Sequence, residues 1–236
     1  NLRALKSAAS QVRERLSPEN WNLIERVEAE FARDCAAMAA DAEYGTAEAL
    51  AALQGASELL SAITGAQTDR MVRDSGWRLL SIGRHIERIA TLARALRLSL
   101  ETGCLLDPIG FEAVVALFDS TITFHAMYQQ RRDMVALVDL LVMDRDNPRS
   151  LAWVAQTLRS RLRRIEHLAQ GATHTLAALL PEAPADPLLL WPQSSTSPEA
   201  LTALLDHYRR SAREVAEGLS GLFFTHSGQA AHSVGL

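Results

Sequence analysis

The sequence is poor in the residues that build covalent or metal-based frameworks. Only two cysteines occur among its 236 residues, Cys35 and Cys104, and they are far apart, without a Cys-x-x-Cys pair. This excludes a disulfide framework and a cysteine-based zinc site. The seven histidines lack the Glu-x-x-His or His-x-x-x-His spacing of helical metal sites, so no metal is expected. A reducing cytoplasm is the expected location.

Long apolar runs and an excess of one charge are absent as well. Asp139 interrupts the run MVALVDLLVM and Pro181 ends LAALL, so no segment reaches the roughly 18 apolar residues of a membrane span. No secretory signal opens the chain, although a first residue Asn1 in place of Met indicates that it was cut from something longer. The formal net charge of −4 comes from 24 basic and 28 acidic residues that are mixed along the chain. This predicts neither nucleic-acid nor membrane binding.

The sequence lacks the patterns typical of β-strands and has those typical of helices. Ala, Leu, Arg and Glu dominate, and no alternating run of β-branched residues is bounded by turn residues. The periodicity predicts an all-α bundle of about eight helices, which cover residues 2–16, 18–40, 46–64, 76–101, 108–130, 133–143, 148–170 and 198–224. The proline-rich segment 181–197 is predicted to be a surface connection, held to the bundle by residues 188–191.

Capping residues mark the ends of these helices. An N-cap oxygen precedes proline at four predicted starts, namely Ser17, Asp107, Asn147 and Ser197. Glycine follows a periodic run at three predicted stops, namely Gly65, Gly103 and Gly171.

An internal repeat relates the two ends of this layout. Residues 1–16 and 147–162 align without gaps, and seven of the sixteen positions are identical. The alignment predicts two duplicated halves within a single helical domain, 1–236. The second half has a helix about sixty residues before Asn147, so the first half is expected to lack its own first N-terminal helix.

Charged residues crowd the predicted helix 76–101 beside its apolar seam. Arg84, Glu87 and Arg88 lie on the side away from the seam, yet Trp77 and Leu80 share that side. One interpretation is a solvated face, with Arg84 and Glu87 as a weak i,i+3 ion pair. The other is an interior groove, where each charge needs a partner or a ligand.

Four further residues extend this set of polar candidates. Asp119 is placed to accept from an arginine of the 76–101 helix, and Tyr128 adjoins the same apolar stripe. Asn147 and Ser150 first indicate a capped helix start. Alternatively, the backbone N–H groups there and Ser150 receive a carboxylate or phosphate. His125 is interpreted as a hydrogen-bonded residue at the border of the core.

Known catalytic signatures are absent from the sequence. It contains no GxxxxGK[ST], strand-associated GxGxxG, HExxH or GxSxG. We therefore assign no catalytic residue and expect no cofactor in this domain.

Several short motifs, taken in order, resemble one family. They are Gly76-Trp77-Arg78, Gly83-Arg84-x-Ile86-Glu87-Arg88, Asp119-Ser120-x-x-Thr123, Tyr128 and Asn147-Pro148-Arg149-Ser150-Leu151. In this respect the chain resembles the α-E (Alpha-E) domain family, bacterial all-helical domains with a Glu-Arg motif. That family usually has a basic residue where His125 stands. The resemblance implies a domain joined to, or encoded beside, a circularly permuted ATP-grasp ligase, hence amide-bond formation or peptide modification. ATP and Mg²⁺ are implied only for that ligase.

The expected function is that of an accessory domain. It would dock to the ATP-grasp ligase or hold its peptide or amino-acid substrate, with Glu87 and Arg88 in a buried polar network with Asp119 and the Asn147 turn. A rival interpretation is an enzyme or small-ligand-binding domain, with Glu87 or Asp119 as general base. A third is a purely structural scaffold. Core exposed by the missing helix would favour self-association.

Overall fold

The computed structural model describes residues 1–40, 45–129, 132–169, 172–192 and 199–224. These residues are helical without a strand, which confirms the predicted all-α class. Ten α-helices occur in the described ranges: α1 (Leu2–Ser10), α2 (Pro18–Ala40), α3 (Thr46–Asp69), α4 (Ser75–Glu101), α5 (Pro108–Leu117), α6 (Thr121–Tyr128), α7 (Met134–Val138), α8 (Leu151–Arg164), α9 (Ala172–Ala178) and α10 (Glu199–Phe223). A π-helical turn, Asp139–Met143, continues α7.

The described helices fall into two compact units. The first covers residues 1–73 with helices α1–α3, and its core contains Ile24, Val27 and Ile63. The second starts at residue 74 and contains α4–α10 around a larger core. The single domain 1–236 stays a prediction, and so do the missing helix and the duplication.

Two of the predicted helix starts carry the expected cap. The Ser17 hydroxyl accepts from the Asn20 N–H at 3.1 Å, and the Asp107 carboxylate accepts from the Gly110 N–H at 2.8 Å. Each satisfies a backbone donor that the first helical turn leaves unpaired. The predicted start at Ser197 lies outside the described residues.

The predicted helix 108–130 is wrong, because the chain breaks between α5 and α6. Asp119 adopts a left-handed conformation, with φ 49°. Its N–H donates to the Ala116 carbonyl at 2.8 Å, and the Ser120 N–H donates to Val115 at 3.2 Å. This pair of bonds is a Schellman motif, which normally places glycine where Asp119 stands. The sequence offered no glycine there, so the stop was not predicted.

The predicted helix start at Asn147 is also wrong. Helix α8 begins at Leu151, and Ser150 is its N-cap, accepting from the Trp153 N–H at 3.1 Å. The Asn147 side chain instead donates to the Leu140 carbonyl at 3.0 Å, at the π-helical turn. This bond and the backbone bond from the Ser150 N–H to the Asn147 carbonyl, at 2.9 Å, hold residues 147–150 in a turn, so α8 begins about one turn later than predicted.

The predicted stops had mixed outcomes. Helix α3 runs through Gly65 to Asp69, because an exposed helical glycine costs only about 1 kcal/mol. Gly103 does follow the end of α4, with φ 68°. Gly171 lies outside the described residues.

The described part of the predicted connection, residues 181–192, is irregular apart from a 3₁₀ turn, Pro187–Leu189. Leu190 is buried and Trp191 packs against the core of the second unit. These two side chains therefore hold the connection to the bundle, as predicted for residues 188–191, and Leu188 and Leu189 are exposed. Residues 193–197 lie outside the described ranges.

Helices α5 and α6 are rich in apolar residues. In the part of the chain that the structure describes, no single helix has both the length and the apolar content that a membrane crossing needs. Helices α5 and α6 reach that content only together, across a bend of 118°. Their side chains Phe111 and Phe124 are buried and meet edge to face, with centroids 5.5 Å apart. Core packing thus accounts for their apolar character.

Candidate functional site

Helices α4 and α8 share a contact layer of aromatic and cationic side chains. Two pairs mark it, Trp77 with Arg161 and His85 with Trp153, and Arg149, two residues before α8, lies within electrostatic range of Arg88. In the first pair the guanidinium carbon lies 4.6 Å from the indole centroid, and in the second the stacked ring centroids are 6.1 Å apart. The start of α4 (Trp77) meets the end of α8 (Arg161), and the middle of α4 (His85) meets the start of α8 (Trp153). The two helices therefore run antiparallel.

The arginines of α4 lie half-buried in this layer. Burial lowers the pKa of Arg84, and the charge of Arg88 lowers it further. Burial also lowers the pKa of Arg88, with a further contribution from Arg149. Three guanidinium groups therefore lie within electrostatic range of one another. Their mutual repulsion favours an anion at this place.

Arg149 connects this cluster to the break between α5 and α6. Its guanidinium donates to the Asp119 carboxylate at 2.7 Å, and its backbone N–H donates to the Asn147 side-chain oxygen at 3.0 Å. Asp119 remains 76% exposed and Arg149 44% exposed, so the ion pair lies at the surface. Within the described ranges, by contrast, no carboxylate lies within 4.0 Å of the Arg88 guanidinium.

Two predicted members of the buried network take other positions. Glu87 is exposed and forms no ion pair among the described residues, because it lies about 100° around α4 from Arg88. Asp119 accepts from Arg149 rather than from an arginine of the 76–101 helix. The left-handed turn at Asp119 directs it to the start of α8. The prediction of a buried network that joins Glu87 and Arg88 to Asp119 is therefore wrong.

The remaining predicted residues bond within the fold. Besides its contact with Leu140, the Asn147 amide reaches the Ser120 hydroxyl at 3.5 Å. Ser150 is fully buried and its hydroxyl donates to the Asp144 carbonyl. The Tyr128 hydroxyl donates to Asp139 at 2.5 Å, and burial, followed by this bond, raises the pKa of Tyr128. These hydrogen bonds occupy the polar groups of Asn147, Ser150 and Tyr128 within the fold.

The structure adds members that sequence reasoning did not select as site residues. Arg149, His85, Trp153 and Arg161 all face the layer between α4 and α8. The α4 part of the layer could have been predicted, because helical spacing puts four aromatic and basic residues on one side of α4, namely Trp77, Arg84, His85 and Arg88. Their partners on α8 could be found only from the antiparallel pairing.

The chemistry of the cluster is that of oxyanion binding. Guanidinium groups present paired N–H donors that fit a carboxylate or a phosphate. No group of three or more His, Cys, Asp or Glu side chains suited to a metal occurs in the described ranges.

His85 is expected to make the stability of the second unit depend on pH. Burial lowers its pKa, a bond from Nδ1–H to the Ser81 carbonyl at 2.6 Å opposes this, and Arg88, Arg161 and Arg84 lower it further. Because the unfolded chain binds a proton at a higher pH than the folded chain does, the free energy of unfolding should fall as pH drops below about 6.5.

Urea unfolding between pH 7 and pH 5 measures this effect of His85. The free energy of unfolding should depend less on pH in His85→Gln than in the wild-type protein. Replacing the exposed His207 with Gln is the control, and equal pH slopes in the wild-type protein and His85→Gln would contradict the assignment.

The chain is similar in sequence to longer bacterial proteins. Uncharacterised proteins of Mycobacterium tuberculosis and Mycobacterium bovis are 29% identical over 169 residues, which is 69% of this chain and 19% of theirs. The chain thus spans about a fifth of the length of these relatives. No solved structure matches the chain with statistical significance.

The family comparison covers nearly all of the chain. Residues 1–224 match the Alpha-E sequence profile, described as a predicted alpha-helical domain with a conserved ER motif. The resemblance noted above places that motif at Glu87-Arg88 on α4. Its arginine lies in the cluster and its glutamate faces solvent. The chain therefore belongs to the Alpha-E family.

Proposed function

We propose that this chain is an accessory domain of an ATP-grasp amide ligase, and that Arg84, Arg88 and Arg149 bind a carboxylate. The carboxylate belongs either to the ligase surface or to the peptide or amino acid on which the ligase acts. The single observation that carries this proposal is Arg88. It is half-buried, it lies within electrostatic range of Arg149, and no described carboxylate pairs with it.

An arginine in that position is costly to the isolated domain. Removing a guanidinium partly from water and placing it beside like charges is unfavourable unless an anion compensates. A bound carboxylate would accept paired hydrogen bonds and cancel the repulsion. The Arg149–Asp119 ion pair would fix one side of the site. The geometry therefore favours anion binding over a purely structural role for Arg88.

The family context supports the choice of partner. The Alpha-E resemblance implies a circularly permuted ATP-grasp ligase joined to, or encoded beside, the domain. In the mycobacterial relatives the matched region is 19% of a much longer chain, so the domain recurs there beside other segments. ATP and Mg²⁺ would belong to the ligase, and this domain would contribute a binding surface.

The geometry gives less support to an enzyme. That interpretation needs Glu87 or Asp119 as a general base beside a reacting group. Glu87 points to solvent, and Asp119 is held in an ion pair with Arg149.

The test compares Arg88→Ala with Arg94→Ala. Both residues lie on α4, but Arg94 is exposed. Isothermal titration calorimetry would measure binding of the ligase, and separately of a peptide with a free or an amidated C-terminus. We expect Arg88→Ala to weaken binding by about tenfold or more, the value of one charge-assisted contact, and Arg94→Ala to change it less than about twofold.

The two carboxylate sources give different results. Loss of binding on amidation identifies the peptide carboxylate, whereas ligase binding without peptide binding identifies the ligase surface. Unchanged fold and unchanged ligase activity in Arg88→Ala would overturn the proposal.

A further inference from the structure

A second polar site lies in a cavity of the second unit, apart from the cluster on α4. The cavity encloses about 280 Å³ between α8, residues 181–183 and α10. Its polar lining includes Arg145, Arg159, Ser160, Arg163, Glu182 and Tyr208. Arg161 and Arg163 are two positions apart on α8, about 200° around the helix, so the cavity and the α4 contact occupy different sides of α8.

Tyr208 is the unusual member of this lining. Its side chain is fully buried, and its hydroxyl has no hydrogen-bond partner among the described residues. Burial raises the pKa of Tyr208 to about 12, Arg159 and Arg145 lower it, and Glu182 raises it. Tyr208 lines the cavity together with these three charged residues. Buried hydroxyls almost always have a partner, so this one indicates a ligand atom that accepts its hydrogen.

The charged residues that line the cavity determine the sign of charge that a ligand must carry. Arg159 is fixed by donating to the carbonyls of Leu180 at 2.9 Å and Pro181 at 2.6 Å. Neither Arg145 nor Arg163 forms an ion pair within the described part of the chain. Three guanidinium groups thus face one carboxylate, Glu182, and the cavity carries excess positive charge.

We infer that this cavity binds a small molecule bearing a carboxylate or phosphate group, which accepts from the Tyr208 hydroxyl and from Arg145 and Arg163. A volume of about 280 Å³ lies just below the roughly 300–1,000 Å³ of typical ligand pockets, which limits the ligand to a small metabolite. The site is independent of the proposed ligase partner.

Thermal unfolding with inorganic phosphate or with glutarate tests the inference, and sodium chloride at equal ionic strength is the reference. We expect at least one of the two probes to raise Tm in a saturable manner. Stabilisation by phosphate alone identifies a phosphate ligand, and stabilisation by glutarate alone identifies a carboxylate ligand.

Four variants give the result its specificity. Tyr208→Phe removes the unpartnered hydroxyl, so it should raise Tm without a probe and lower probe affinity by about fivefold or more. Arg163→Gln should lower affinity by about tenfold. The adjacent, exposed Arg164→Gln and the exposed α4 variant Arg94→Ala should bind as the wild-type protein does.

Two outcomes would overturn the inference. One is the absence of saturable stabilisation by either probe beyond that of sodium chloride. The other is stabilisation that persists unchanged in both Tyr208→Phe and Arg163→Gln.

Discussion

Asn147→Ala is expected to lower the free energy of unfolding of the second unit by about 3 kcal/mol. The Asn147 side chain donates to the Leu140 carbonyl at 3.0 Å and accepts from the Arg149 N–H at 3.0 Å. Alanine leaves both backbone groups unpaired, and each costs about 1–3 kcal/mol when it is shielded from water. Leu140 is fully buried, so water cannot easily replace its partner. Urea unfolding followed by tryptophan fluorescence measures the change.

Two comparisons separate this effect from a general cost of losing an asparagine. Asn22 is exposed on α2, and Asn22→Ala should change the free energy of unfolding by less than about 0.5 kcal/mol. Asn147→Asp keeps the acceptor for Arg149, but it replaces the donor to Leu140 with a carboxylate oxygen that the Leu140 carbonyl repels, so it should destabilise at least as much as alanine does. A loss below about 1 kcal/mol in Asn147→Ala would show that the turn does not depend on this side chain.

Gly110→Ala should cost about 2–3 kcal/mol, for a steric reason. A Cβ atom at this position would lie 2.1 Å from the Cys104 carbonyl oxygen and 3.2 Å from the Cys104 Cβ. The backbone of the 3₁₀ turn Cys104–Leu106 must then move, and Leu105 in that turn is buried. Forcing extra volume into a packed site costs about 1–3 kcal/mol, and backbone is harder to displace than a side chain.

The matched control is another glycine of the same unit. No atom lies within 4 Å of a Cβ built on Gly83, which is exposed on α4. Gly83→Ala should therefore raise the free energy of unfolding by about 0.5–1 kcal/mol, since alanine favours the helix. Measured by urea unfolding, the free energy of unfolding should fall in Gly110→Ala and rise in Gly83→Ala. Changes of the same sign would contradict the close approach of α5 to Cys104.

Asn147 and Arg88 illustrate the difference between a residue that stabilises the fold and a residue of the candidate site. Asn147 lies beside Arg149 but its hydrogen-bonding atoms are directed at backbone groups. Arg88, by contrast, has no described carboxylate partner. We therefore expect a clear separation of readouts, with Asn147→Ala reducing stability and Arg88→Ala reducing binding.

Much of the secondary structure followed from local signals. Helical periodicity and the caps at Ser17 and Asp107 predicted α2, α4 and the start of α5, because these signals act within one turn of helix. The failures came where long-range contacts decided the backbone. Asp119 ends α5 in a conformation usually taken by glycine and pairs with Arg149, thirty residues away.

The candidate site was predictable only in part, for the same reason. The sequence selected Arg84 and Arg88 but left open whether they face solvent or an interior groove. Glu87 was grouped with them because it is adjacent, yet helical geometry turns it to solvent. Arg149, Trp153 and Arg161 entered the site through the antiparallel contact of α4 with α8.

The sequence by itself determined the helical class, most helix positions and the resemblance to the Alpha-E family. It did so because capping and apolar periodicity depend on residues within a few positions of each other. Only the tertiary structure decided that Arg88 lies beside Arg149, that Asn147 binds backbone and that Tyr208 closes a cationic cavity. The arginine pair and the cavity depend on packing between helices that are distant in the chain, whereas the Asn147 bonds depend on how its turn folds against the preceding π-helical turn. In each case burial sets how much a charge or an unpaired polar group costs.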